Sequence, residues 1–143
     1  MKIALASDHG GFELKEAIKK HLTEDRKIEV LDLGTDSTAS VDYPVYGHKA
    51  AHAVADGQAD LGIVCCGTGI GISMAANKVK GIRCALCTNE YMAEFTKRHN
   101  NANMLAFGGR TTTPDLANRM VDIWLDTEFE GGRHQRRVDQ IEE

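Results

Sequence analysis

Apolar and polar positions along this chain change their period several times, and each change marks an element. The opening run Lys2-Ile3-Ala4-Leu5-Ala6-Ser7 is continuously apolar at its centre, as in a strand buried on both faces, and stops at Asp8-His9-Gly10-Gly11. From Phe12 to about Thr23 the apolar positions Phe12, Leu14, Ala17, Ile18 and Leu22 recur at helical spacing with Glu and Lys between them. The polar knot Glu24-Asp25-Arg26-Lys27 then gives way to Ile28 through Leu33, a second strand. Such a βαβ unit takes a right-handed crossover. A loop rich in Gly, Thr, Asp and Ser runs from Gly34 to Val41, and Asp42-Tyr43-Pro44 leads into a predicted helix from about Val45 to Ala55. Leu61 to Cys66 reads as the third strand, followed by a glycine loop and a helix to about Lys78. Gly81 ends that helix and Ile82 to Cys87 reads as strand four. A helix from Asn89 to Arg98, capped by Thr88 or Asn89, runs into His99-Asn100-Asn101. Met104 to Phe107 is the fifth strand, closed by Gly108-Gly109-Arg110. Pro114 suits the first turn of a last long helix with the stripe Leu116, Met120, Ile123, Trp124 and Phe129.

Five strands alternating with helices predict a three-layer α/β/α Rossmann-like domain with a five-stranded parallel sheet. No repeat or linker divides residues 1–143, so one domain is expected, with a basic tail over about 131–143. A composition of 42% hydrophobic and 27% charged residues is that of an ordinary globular chain. The net charge of −4 argues against a nucleic-acid partner, so any bound phosphate must meet a local basic cluster. The first apolar run is too short for a secretory signal and no stretch approaches the roughly twenty apolar residues of a membrane span. A cytoplasmic protein without membrane contact is expected. Cysteines 65, 66, 84 and 87 all sit in strand-like runs, unlike the loop-rich spacing of a disulfide framework. Cys84 and Cys87 form C-x-x-C, but three positions apart on a strand they face opposite ways, against a redox or zinc pair.

Ligands of open parallel sheets bind beyond the carboxyl ends of the strands. That rule gives Asp8-His9, Cys66 with its glycine loop, and Arg110 a common address. Asp8 alone could be a helix cap, to which a histidine at position 9 adds nothing. Gly67, Gly69 and Gly71 let backbone N–H groups approach a ligand at a helix start, where negative charge is favoured. The loop is not a dinucleotide fingerprint, since it follows the third strand and Ile72 stands three after Gly69, and it has no Walker lysine. Cys66 is either a plain buried thiol or a base or nucleophile held against those donors. Cys65 faces the other side and belongs to the core. His99 ends a helix, where an imidazolium is favoured by the dipole, so a structural role is open to it too. His48 and His52 share a helix face without a third ligand and read as solvated. Arg133, Arg136 and Arg137 are a solvated tail or a phosphate-binding fork.

Together these motifs resemble ribose-5-phosphate isomerase B and its family of ribose, allose and galactose phosphate isomerases. The resemblance rests on Ser7-Asp8-His9-Gly10-Gly11, Val41-Asp42-Tyr43-Pro44, Cys66-Gly67-Thr68-Gly69-Ile70-Gly71, Ala75-Ala76-Asn77-Lys78, His99-Asn100-Asn101-Ala102-Asn103 and Gly131-Gly132-Arg133-His134, in order along the whole chain. It implies an aldose–ketose isomerase without metal or other cofactor, working through a cis-enediolate. Cys66 is then the base, the amides from Gly67 to Gly71 hold the oxyanion, and His99 with Thr68 and Asp8 opens the sugar ring. Tyr43 and Asn100 line the sugar, while His9, Arg110, Arg133 and Arg137 take the phosphate. A homodimer or homotetramer with a site shared between subunits is implied. One branch of the family replaces the cysteine and uses a glutamate after the third loop glycine; Ile72 stands there in this chain. Galactose-6-phosphate enzymes split the motifs between two chains, whereas both halves are present here. The remaining alternatives are a six-carbon substrate, a non-catalytic sugar-phosphate-binding regulator, and a thiol-redox protein using Cys84 and Cys87.

Overall fold

The computed structural model describes residues 1–143. Five strands, β1 (Lys2–Ser7), β2 (Glu29–Asp32), β3 (Leu61–Cys66), β4 (Cys84–Leu86) and β5 (Met104–Gly108), form one all-parallel sheet in the order β2-β1-β3-β5-β4. Six α-helices connect or follow them: α1 (Phe12–Lys20), α2 (Tyr43–Ala55), α3 (Ile70–Asn77), α4 (Glu90–Arg98), α5 (Pro114–Asp126) and α6 (Arg133–Asp139).

Strand alternation sorts the core into two sheets of contact. Ile3, Leu5, Ile63, Cys65, Leu105 and Phe107 face α1, α4 and α5, against Leu14, Ile18, Ala93, Met120 and Trp124. Ala4, Ala6, Val64, Cys66, Met104 and Ala106 face α2 and α3, against Ala50, Ala51, Ile72 and Ala76. The second layer is built from small side chains, so its helices lie close. A methyl at Gly47 would come within 3.1 Å of Ile72 and of Ala75.

The elements follow the sequence pattern with four differences. The first helix keeps its α geometry only to Lys20 and continues through one wider π turn, His21–Asp25. The fourth strand is shorter than its apolar run, Cys84–Leu86, because at the sheet edge Ile82 is used to fill the α2/α3 layer. The basic tail over 131–143 holds a sixth helix, Arg133–Asp139, seated by buried His134 and Val138. Phe129 lies beyond the end of α5 and is not part of its stripe. Cys84 and Cys87 do face opposite layers, and all four cysteines are free and buried. Burial pushes the thiols of Cys65 and Cys84 well above the usual range, and that of Cys87 up to about 12. No helix is long and apolar enough to cross a membrane.

Candidate active site

The carboxyl edge of the sheet brings three loops together with no room for side chains between them. Asp8 follows β1 and caps the next turn, its Oδ1 accepting from Gly11 N–H at 3.1 Å. A methyl on Gly10 would stand 3.0 Å from Gly67 N, one on Gly11 would overlap the Cys65 carbonyl, and one on Gly109 would overlap the Gly10 oxygen. The same loops are laced by main-chain hydrogen bonds, from Gly109 N–H to the Cys66 carbonyl at 2.7 Å and from Arg110 N–H to Gly67 at 2.9 Å. Glycine therefore packs the backbone of the first, third and fifth strand ends into one floor.

Cys66 ends β3 on that floor and is 5% exposed. The chain turns at Gly69, with φ of +81°, and this places the Gly69 N–H 3.1 Å from Cys66 Sγ. Thr68 is exposed, with Oγ1 accepting from Ile70 N–H at 3.2 Å at the start of α3. An anionic oxygen above this turn meets backbone donors and the positive end of α3. Arg110 lies over the loop, its Nη1 2.7 Å from where a Gly67 methyl would be. Tyr43, at the first position of α2, sets its ring against Gly71. His9 Nδ1 accepts from Val41 N–H at 3.1 Å, so the ring carries its proton on Nε2, which is left to donate.

His99, Asn100, Arg133 and Arg137 are elsewhere. Helix α4 runs back against the strands, so His99 at its C-terminus lies at the amino edge of the sheet. There Arg83 Nε donates to the carbonyls of Asn100 and Asn101, just before β4, and Gly62 N–H at the start of β3 donates to Asn103. Four residue steps of β5 put this edge about 13 Å from the level of Cys66. A cleft of about 340 Å³ here is lined by His99, Asn100, His134, Arg137, Val138 and Ile141. One chain thus gathers Asp8, His9, Tyr43, Cys66, Gly67, Thr68, Gly69, Ile70, Gly71 and Arg110 at one edge, and holds the other four at the opposite edge.

The amino-edge cluster contains two residues to which sequence reasoning assigned no role, Glu130 and His134. His134 stacks on His99 with ring centroids 4.1 Å apart and planes 9° from parallel. Glu130 Oε1 is 3.3 Å from His134 Nε2 and 3.7 Å from His99 Nε2. The motif Gly131-Gly132-Arg133-His134 was visible in the sequence, but nothing local shows which histidine it meets. These three residues could hold a metal, since their ligand atoms lie within 4.8 Å of one another. Nearly parallel stacked rings hold their nitrogens in two separate planes, so an ion at the about 2.0–2.1 Å of a zinc–imidazole bond cannot lie in both planes unless one ring turns.

Residues 3–141 match the model of the family described as Ribose/Galactose Isomerase. This chain belongs to that family. Ribose-5-phosphate isomerase B of Escherichia coli K12 is 51% identical over 140 residues, covering 98% of this chain and 93% of that one. Among solved structures, ribose-5-phosphate isomerase B of Clostridium thermocellum superposes with a TM-score of 0.96 at 56% identity, over 99% of this chain and 95% of that one. The Mycoplasma genitalium ribose-5-phosphate isomerase B, solved with bound ribulose 5-phosphate, gives a TM-score of 0.92 at 44% identity, over 98% and 93% of the two chains. The ribose/galactose isomerase fold is therefore present from end to end, and both edges just described lie within the matched residues.

Proposed function

We propose that this chain interconverts ribose 5-phosphate and ribulose 5-phosphate, in a site that two copies of the chain complete together. The relatives of that name support the reaction. The observation that carries the shared site is the split itself: base and oxyanion donors at the carboxyl edge, His99 and two arginines at the amino edge of the same sheet. A twofold axis sets the same face of each protomer against the other, so that residue i of one copy meets residue j of the next, and groups from different parts of one chain can complete each other across the interface. Tyr43, Val45, Ile70 and Met74 leave an apolar band exposed on α2 and α3 beside the Cys66 loop, a surface suited to a second copy. Residues 131–143 then serve the neighbouring copy's site. Four thiols kept free suit the reducing cytoplasm, where we place the protein.

In this reading the furanose opens first. The anomeric hydroxyl proton leaves to Asp8, with the Thr68 hydroxyl beside it, the C1–O4 bond breaks to form the C1 carbonyl, and O4 takes a proton from His99. Cys66 as thiolate then removes the proton from C2 and returns it to C1. Between those steps the hydroxyl proton passes from O2 to O1, and the amides from Gly67 to Gly71 hold the enediolate oxygens. His9 Nε2, Arg110, Arg133 and Arg137 take the phosphate, and Tyr43 and Asn100 border the sugar. A non-catalytic sugar-phosphate binder would use the arginines but not the thiol.

Mixing two inactive variants tests the shared site. In a Cys66→Ala and His99→Asn heterodimer one site carries both changes and the other carries neither. After random subunit exchange, verified by native mass spectrometry, about one quarter of wild-type activity is expected. Exchange without recovery overturns the proposal.

A further inference from the structure

His99 and His134 are a stacked pair in unequal surroundings. His99 is more than a third exposed, whereas His134 is 7% exposed and its Nε2 has no hydrogen-bond partner. Glu130 Oε1 is near enough to that nitrogen, at 3.3 Å, but lies off the line of the N–H. The same carboxylate oxygen is the near neighbour of His99 Nε2, at 3.7 Å. The main chain of Glu130 is tied to the amino edge, its N–H donating to the Arg98 carbonyl at 3.0 Å, and its Oε2 lies 3.7 Å from Arg98 Nη1. The charged groups around the pair are Glu130, Arg98 with its closer partner Glu94 at 2.8 Å, and Arg133 and Arg137 on α6. Two imidazoles 4.1 Å apart do not both carry charge at little cost. Burial, the His99 ring and Arg133 push His134 below the ordinary imidazole range. One carboxylate, that of Glu130, faces both rings.

We propose that Glu130 and His134 are positioning residues for His99. The Glu130 carboxylate draws onto Nε2–H of the imidazolium, the neutral His134 ring fixes its plane, and Nδ1–H is left as the proton given to the sugar ring oxygen. Neither ring nitrogen of His99 makes a hydrogen bond within the chain, so the carboxylate at 3.7 Å has room to close when substrate arrives. This rests on the ring-opening role given to His99 above.

Two readouts separate ring opening from proton transfer. Turnover of ribose 5-phosphate requires the ring to open. Exchange of the C1 proton of ribulose 5-phosphate with D₂O, followed by NMR, starts from an open chain and uses only the Cys66 half. Glu130→Gln should lower ribose 5-phosphate turnover about tenfold and shift the acid-dependent limb of its pH profile to lower pH. C1 exchange should stay within about twofold of wild type, since the Cys66 half is intact. His134→Phe, which keeps a neutral stacked ring, should retain turnover that His134→Ala loses. Equal loss of both readouts in Glu130→Gln, an unmoved pH limb, or a His134→Phe as impaired as His134→Ala would overturn the inference. His99→Asn tests the underlying reading separately: it must lose turnover and keep exchange. If it does so while Glu130→Gln does not, the positioning inference alone fails.

Discussion

The two edges of the sheet are made differently. At the carboxyl edge the groups around Cys66 are main-chain amides, locked by glycines that pack backbone against backbone and by hydrogen bonds between the strand-end loops. At the amino edge the corresponding groups are side chains on helix ends and in the segment after α5, held by charge. His21 reaches Asp122 at 2.8 Å and Asp25 at 2.9 Å, Arg26 reaches Asp126 at 2.7 Å, and Glu130 sits between His99, His134 and Arg98. The difference matches the chemistry assigned to each. Stabilising an enediolate calls for dipoles that do not move as charge develops, and a main-chain floor provides them. Opening a ring calls for a side chain that can give and take a proton, and in the proposed reaction that task falls to His99, beside Glu130 and His134.

Removing the base should give the largest contrast between the edges. Cys66→Ala is expected to lower both ribose 5-phosphate turnover and C1 exchange by about 10²–10⁴, the usual worth of a positioned acid or base. Urea unfolding should change little, since one sulfur is lost at the rim of the α2/α3 layer. A near-normal rate would return the molecule to a binding role for the loop and arginines.

Next comes the rigidity of the carboxyl edge. A methyl at Gly69 would lie 2.7 Å from Leu86 Cδ1 and 2.8 Å from the Phe107 carbonyl carbon, at a φ of +81°. Left-handed strain and overpacking together should cost Gly69→Ala about 2–4 kcal/mol in denaturant unfolding. An unchanged midpoint would show that the floor yields more readily than its packing implies.

The smallest expected effect belongs to the amino edge. Burial lowers the His21 value, but hydrogen bonds to Asp122 and Asp25 outweigh it and hold the ring above the ordinary imidazole range. A group whose folded value is raised stabilises fully below its unfolded value, about 6.5, and loses that contribution as pH rises through the folded value. The urea midpoint of the wild type should therefore fall towards that of His21→Gln as pH rises above about 6.5, with the gap widest on the acid side. A gap that grows with pH would reverse the assignment.

Much of the fold was legible because its signals are local. The buried runs at Lys2–Ser7 and Leu61–Cys66, the helical stripe from Phe12, and the caps at Asn89 and Thr113 depend on residues within a few positions of one another. The opposite facing of Cys65 and Cys66, and of Cys84 and Cys87, follows from strand period alone. Helix α6 was less legible. Its sequence, Arg133 to Asp139, carries only two buried positions, His134 and Val138, and the surface that buries them comes from α4 and its following segment.

The sequence by itself determined the alternation of strands and helices, the parallel sheet, and the motifs that place the chain in its family. Tertiary structure decided where they stand. The sheet order β2-β1-β3-β5-β4 sets the ends of β1, β3 and β5 side by side and puts Asp8, Cys66 and Arg110 on one floor. The reversal of α4 against the strands carries His99 to the far edge, where it meets His134 and Glu130. Periodicity records which face of an element is buried, but not which distant element buries it. That choice is made by the packing of all the layers at once, and it divides the groups proposed to act on the sugar phosphate between the two edges of the sheet.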